Sequence, residues 1–211
     1  MTTTTASVNN AGIAGPTTTL NDDKRSLEDL SADLFSEEQS AWDDVFRTNV
    51  QSIFYTTVAF LPLLKAFTFG GDAAGKAIYE KYQTVVINTT SISGLVKKAQ
   101  NHFAYNASKG AANHLQRLLA TEFAHTGVRF NSIAPGVFPS EMTGQGSDEN
   151  NKVSLEGQFD PKSLSVPAGR AGDEEEMGGT FLYLASRAGQ YTNGVILPVD
   201  GGLLSTNPSS Y

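Results

Sequence analysis

Apolar positions along this chain fall into two different rhythms. From Glu37 onward Trp42, Val45, Phe46, Val50, Ile53, Phe54, Thr57, Val58 and Leu61 recur at intervals of three and four. That stripe of period 3.6 predicts a long amphipathic helix. Ser36 with Gln39 offers it an N-terminal capping signature. A second helix is predicted from Tyr105 to His125, apolar at Ala111, Ala112, Leu115, Leu118, Leu119 and Phe123, and a third from Asp173 through Ser186, opened by Asp173 and Glu176 as a carboxylate cap. Between these stand short apolar and β-branched runs at Ala6 to Asn9, Thr84 to Thr90, Val128 to Ala134 and Asn193 to Val199. Such runs suit strands buried on both faces of a parallel sheet. Strands alternating with helices give an α/β class.

The remaining segments read as connections. Thr2 to Thr5 is low in complexity and predicted to fray, and Asn21 to Glu38 is acidic, a surface loop with short helical pieces. Leu63 to Gln83, with Gly70, Gly71 and Gly75, is predicted to hold a helix end, a loop and a short helical turn. Gly144 to Pro167 is polar and glycine-bearing, and residues 144–168 read either as a lid over a substrate pocket or as a plain surface loop. No internal repeat and no second domain is visible, so residues 1–211 are expected to form a single domain.

Composition narrows the function classes. With 39% hydrophobic and 18% charged residues the chain has ordinary globular content. With a formal net charge of -7 and no basic stripe longer than a pair such as Lys97-Lys98, nucleic acid is not an expected partner. The absence of cysteine excludes disulfides, thiolate metal sites and a cysteine nucleophile, and fits a cytoplasmic protein. No apolar run is long enough to cross a membrane as a helix, and the opening MTTTTASV lacks the basic and apolar parts of a secretory signal. His102, His114 and His125 lack a metal-like spacing with carboxylates, so no metal site is expected.

The chemistry concentrates between Ser91 and Lys109. Tyr105 and Lys109 are four residues apart, so on a helix their side chains share one face. A cation beside a phenol favours the phenolate, which would bring a proton donor closer to neutral pH. Ser91 offers a hydroxyl where the strand Thr84 to Thr90 ends, the end at which open α/β sheets bind ligands, with Ser93 as its rival.

Around this stretch stand Asn9-Asn10-Ala11-Gly12, Asn49 in RTNVQSIF, Asn88 in VVINTTSISG and Pro135-Gly136 in APGVFPSEMT. Together, and in this order, they resemble the short-chain dehydrogenase/reductase family from about Val8 to Leu203. The later segments are most similar to its 3-oxoacyl-carrier-protein reductase-like and rhamnolipid-type members. The resemblance implies a nicotinamide-dependent exchange of a ketone, among them 3-oxoacyl compounds, with a secondary alcohol. It implies a tetrad of Ser91, Tyr105, Lys109 and Asn49, the last holding a water on the lysine's proton path. It further implies NADP or NAD contacts from Asn10, Ala11, Gly12, Tyr105, Lys109, Pro135, Gly136, Val137 and Thr143. A homodimer or homotetramer is implied, built through the helices carrying Asn49 and Tyr105.

One part of the family's pattern is missing. A dinucleotide-binding fold opens with a strand, a glycine-rich turn and a helix, because only glycine lets backbone approach a pyrophosphate closely. Only eight residues precede Asn9. The expected architecture is therefore a partial, Rossmann-like doubly wound parallel sheet lacking its first strands and that turn. A misassigned start, a shortened piece and a degenerate, non-catalytic remnant acting as a scaffold all fit this pattern.

Overall fold

A computed structural model of the protein describes residues 5–20, 25–68, 83–144, 146–149, 152–155 and 166–210. The expected glycine-bearing connection around Gly70, Gly71 and Gly75, and most of the 144–168 loop, lie outside the described residues. Four strands, β1 (Ala6–Asn9), β2 (Val85–Thr89), β3 (Arg129–Pro135) and β4 (Ile196–Val199), pair in that order, all parallel. The α/β reading and the partial sheet are borne out.

Helices cover both faces. On one, Ile53 and Leu64 of α3 (Ser52–Thr68) and Ala112, Leu119 and Ala120 of α4 (Phe103–Glu122) pack with Val86 and Phe130. On the other, Leu184 of α5 (Glu174–Ala185) packs with Val85, Ile87 and Ile133. The capping box expected at Asp173 and Glu176 forms reciprocally and starts α5. Buried Arg129 ties the far end of α5 to the sheet, its guanidinium donating to the carbonyls of Leu184 at 2.9 Å and Gly189 at 2.8 Å. A cation at a helix C-terminus meets the negative end of the dipole.

The first long helix departs from expectation at its start and in its middle. The acidic segment before it holds helix α1 (Leu27–Phe35), one of the helical pieces expected there, and Ser36 closes α1 by donating to Asp33 O rather than capping the next helix. The next helix, α2 (Gln39–Phe46), starts at Glu38 without a side-chain cap. Between α2 and α3, Arg47–Gln51 widens into a π-helical turn that carries Asn49. Period counting cannot see such a turn, which adds one residue to the ring without breaking the apolar stripe.

The last strand also starts later than expected. Asn131 donates to Thr192 O and accepts from Val195 N, while Asn193 accepts from Phe130 N. Side-chain amides thus add to the backbone bonds from Gly194 N to Phe130 O and from Ser132 N to Val195 O before Ile196. After β4, a short helix α6 (Leu203–Thr206), not anticipated from the sequence, is held by Asp200, whose carboxylate accepts from Gly202 N and Leu204 N.

A buried amide chain sets the carboxyl ends of β1 and β2. Asn9 and Asn88 are register partners. Asn9 Nδ2 donates to Asn88 Oδ1 at 2.7 Å and to Thr57 Oγ1 at 3.1 Å, and Asn88 Nδ2 donates to Gln116 Oε1 at 2.6 Å. Two strands, α3 and α4 are therefore joined through groups shielded from water. Replacing Asn88 with leucine would strand its partners at about 1–3 kcal/mol for each unsatisfied group. Urea unfolding of Asn88→Leu should show a loss of about 2–4 kcal/mol; a loss below about 0.5 kcal/mol would mean the chain is dispensable.

Candidate active site

The sheet's carboxyl edge brings three loops to the N-terminal turns of α4. Ser91 follows β2 in extended backbone and caps the 3-10 turn Ile92–Gly94, its Oγ accepting from Ser93 N at 3.0 Å. Its side chain lies beside Tyr105, in the first turn of α4, and the two residues line the same two clefts. Ser93 instead donates to Gln100 Oε1, so of the two serines it is Ser91 that meets the phenol. Gly94 makes the turn's seat on α4 possible. A Cβ there would lie 2.5 Å from the Lys109 carbonyl carbon and 2.7 Å from Asn113 Nδ2.

Lys109 is 3% exposed and donates to Thr89 O at 3.2 Å. Its Nζ stands 5.6 Å from the centre of the Tyr105 ring, over the face. Burial lowers the ammonium from the usual 10.5 to about 8. Burial also raises the Tyr105 phenol, with the Ser91 side chain pulling the other way. This corrects the expectation that Lys109 draws the phenol toward neutrality. The cation faces the ring, and desolvation of the hydroxyl dominates.

Asn49 is fully buried and works through its amide. Its Oδ1 accepts from Ile13 N and its Nδ2 donates to Ile13 O, both at 2.9 Å, and Nδ2 also donates to Ser108 Oγ at 2.9 Å. Ser108 in turn donates to the backbone carbonyl of Tyr105. The π-turn is thereby clamped to both the loop after β1 and α4. A Cβ on Gly12 would lie 3.4 Å from both Asn49 Oδ1 and Lys109 Nζ, so the two side chains meet at that glycine.

Two clefts share the Ser91 and Tyr105 wall. One, of about 480 Å³, is lined by Asn10, Gly12, Lys109, Pro135, Gly136 and Thr143 among others. Its volume is that of a small-molecule site. The other, of about 280 Å³, is lined by Ser93, Gln100, His102, Asn106, Val137 and Met142, together with Ser91 and Tyr105. Of the residues predicted from sequence, Val137 thus faces the smaller cleft and Ala11 is exposed between two lining residues. Thr143 lines both, but its hydroxyl is spent locally, donating to Phe138 O at 2.6 Å and accepting from Ser140 N at 2.9 Å. Gly136 packs where a Cβ would come within 2.7 Å of the Asp200 backbone, which ties this turn to α6.

A nicotinamide ribose finds suitable donors here. Lys109 has three N–H groups and spends one on Thr89, leaving donors at the wall of the larger cleft for ribose hydroxyls. Among the described residues there is no glycine-rich strand-to-helix turn of the kind that holds a pyrophosphate. The residues present fit the nicotinamide half of the dinucleotide.

A family profile described as "Enoyl-(Acyl carrier protein) reductase" matches residues 5–204. The chain belongs to the short-chain dehydrogenase/reductase family. Its relatives in that family include the short-chain dehydrogenase/reductase PhomF' of Diaporthe leptostromiformis, 37% identical over 97% of this chain and 66% of that protein. The rhamnolipids biosynthesis 3-oxoacyl-[acyl-carrier-protein] reductase of Pseudomonas aeruginosa is 36% identical over 81% of this chain and 60% of its own length. The solved Pseudomonas aeruginosa RhlG/NADP active-site complex superposes with a TM-score of 0.69 at 32% identity, over 95% of this chain and 66% of that one. The chain therefore spans about two thirds of the length of such short-chain dehydrogenase/reductase relatives.

The sequence does not single out His102, Gln100 or Asn106 for the site; His102 is read there only as lacking a metal-like spacing. Only its position three residues before Tyr105 hints at its place.

Lys109 makes a prediction independent of turnover. Its folded value near 8 lies below the ordinary 10.5, so between those pH values the unfolded chain binds more protons and stability rises with pH. Urea titrations should show the parent protein gaining about 1–3 kcal/mol on Lys109→Met between about pH 7.5 and about pH 10. A flat difference would mean that Lys109 titrates like a solvated lysine.

Proposed function

We propose that this chain carries the reacting half of an NAD(P)-dependent oxidoreductase that interconverts a ketone and a secondary alcohol. The observation that supports this most is the Ser91–Tyr105 hydroxyl pair on a wall shared by two clefts, with the Lys109 ammonium beneath the tyrosine ring. A bound nicotinamide supplies or takes the hydride. Negative charge developing on the carbonyl oxygen would be met by two hydroxyl donors already in place. Tyr105 then gives its proton to that oxygen, and Lys109 binds the ribose and helps restore the proton. Asn49 holds Ile13 and α4 at the proton path, with its water-holding role in the tetrad carried over from the family. The Asn10-Ala11-Gly12 turn and the Pro135–Val137 turn, with Thr143, form the cofactor side, and residues 144–168 form the substrate loop.

The relative solved with NADP supports NADP, with NAD kept as the alternative, and the rhamnolipid-type relative supports a 3-oxoacyl ketone as one substrate class. Homodimers or homotetramers would form through the helices carrying Asn49 and Tyr105. On these, α3 exposes Phe54, Tyr55, Phe60 and Leu63, and α4 exposes Leu118. No helix among the described residues is long and apolar enough to cross a membrane, and we place the protein in the cytoplasm. A second reading, a non-catalytic scaffold, draws support from β1, which among the described residues pairs with β2 alone and leaves Val8 half exposed.

Fluorescence titration with NADPH and NADH, read beside the melting midpoint, separates the two. Binding followed by ketone turnover supports the enzyme, whereas a folded chain that binds neither favours the scaffold. Tyr105→Phe should keep the melting midpoint and lose turnover by about 10²–10⁴-fold. Unchanged turnover in that variant would remove Tyr105 as the proton donor.

A further inference from the structure

The loop after β1 touches both clefts. Asn10 and Gly12 line the larger one, and Ala14 lines the smaller. Asn49 grips the loop at Ile13. Further on, at Thr18 and Leu20, the same loop takes hold of Asn101, in the turn that precedes α4.

That turn is strained. Gln100 and Asn101, neither a glycine, adopt left-handed φ values of 54° and 66°. Two bonds from the loop hold it there. Thr18 N donates to Asn101 O, and Leu20 N donates to Asn101 Oδ1, both at 3.0 Å. Thr18 is buried and its hydroxyl donates to Glu37, so this end of the loop is anchored in turn.

On its other side the turn forms part of the smaller cleft, although Asn101 itself lines neither cleft. Gln100 is exposed on that wall and accepts from Ser93 Oγ at 3.3 Å. His102 follows, its N donating to Ala99 O at 2.9 Å. His102 Nδ1 and Asn106 Oδ1 are enclosed, unpartnered and closed to a ligand. What the turn gives the cleft is therefore the position of Gln100.

We propose that Asn101 is a positioning residue that transmits the state of the loop after β1 to the wall of the smaller cleft, so that a nicotinamide nucleotide in the larger cleft and a ketone or alcohol in the smaller one bind with positive coupling. This inference rests on the oxidoreductase reading of the site. A left-handed turn at two non-glycine residues relaxes to ordinary backbone whenever its holding bonds open. A nucleotide on Asn10 and Gly12 fixes the loop, keeps Thr18 and Leu20 on Asn101, and so holds Gln100 in place for the second ligand. The wall is then ordered before the substrate arrives. By linkage the substrate strengthens nucleotide binding by the same factor.

Coupling is measured without turnover by pairing two reduced ligands, NADPH and methyl 3-hydroxybutanoate. NADPH fluorescence titrations should give a Kd lower by about fivefold or more when the alcohol is present in excess. Asn101→Gly allows the left-handed turn but removes the acceptor for Leu20 N. In this variant the two Kd values should agree within about twofold, with the affinity for NADPH alone and the melting midpoint unchanged. Asn101→Asp keeps an acceptor and tolerates left-handed backbone, and should keep the coupling. With methyl 3-oxobutanoate and NADPH, Asn101→Gly should raise KM about fivefold or more and leave kcat within about twofold. A second readout needs no substrate. In the parent chain NADPH should slow hydrogen exchange at the Leu20 and His102 amides, neither of which lines the larger cleft. Turnover of the ester without coupling, coupling unchanged in Asn101→Gly, or NADPH binding with unaltered exchange at those amides overturns the inference and leaves the oxidoreductase reading standing. Where the ester is not turned over, the exchange readout decides. A folded chain that binds neither NADPH nor NADH defeats both.

Discussion

The hydrogen bond from Asn9 to Asn88 joins the ends of β1 and β2 at the edge where the site is built. One residue beyond each strand the chain turns into functional loops, toward Asn10 and Gly12 on one side and toward Ser91 on the other. Both loops inherit their separation from this pair, because an amide buried away from water has no cheap alternative partner. Thr57 and Gln116 extend the constraint to α3 and α4. Residues as far apart in sequence as Gly12, Ser91 and Lys109 thereby meet within one wall.

A second constraint runs parallel to it. The Asn49 amide grips both backbone groups of Ile13 while reaching Ser108, so the loop after β1 is pinned twice, once at its start and once four residues on. The same loop then crosses to Asn101 and supports the strained turn before α4. Glu37 completes the frame by accepting from Thr18 and from Trp42 Nε1. An apparently featureless stretch, residues 10–20, is thus a strap linking both clefts.

Much of this was legible in the sequence. The strands were visible as β-branched runs, α5 as a capping box, and the tetrad candidates as a pattern of residue types in order. Short-range signals carry these features. Other features depend on partners distant in the chain. Ser36 looks like an N-cap until its hydroxyl is seen to donate to Asp33 O, and Asn193 reads as strand until its side chain is found accepting from Phe130 N. Lys109 was expected to act on the tyrosine hydroxyl, yet spacing along a helix fixes proximity without fixing which part of the ring the ammonium meets. The unpartnered atoms of His102 and Asn106 follow from tertiary enclosure alone, which no local pattern encodes.

The π-turn at Arg47–Gln51 makes helix length part of the site. Val45, Asn49, Ile53 and Thr57 are all buried at steps of four, a spacing that an unbroken α-helix would carry slowly around its axis. The widened turn resets that drift at Asn49, letting an amide point inward between two apolar neighbours. Because this turn holds one residue more than an α-helical turn, removing that residue would restore ordinary α geometry and leave Val45, Ile53 and Thr57 on one face. What the extra residue adds is the inward amide of Asn49, held on Ile13 and Ser108.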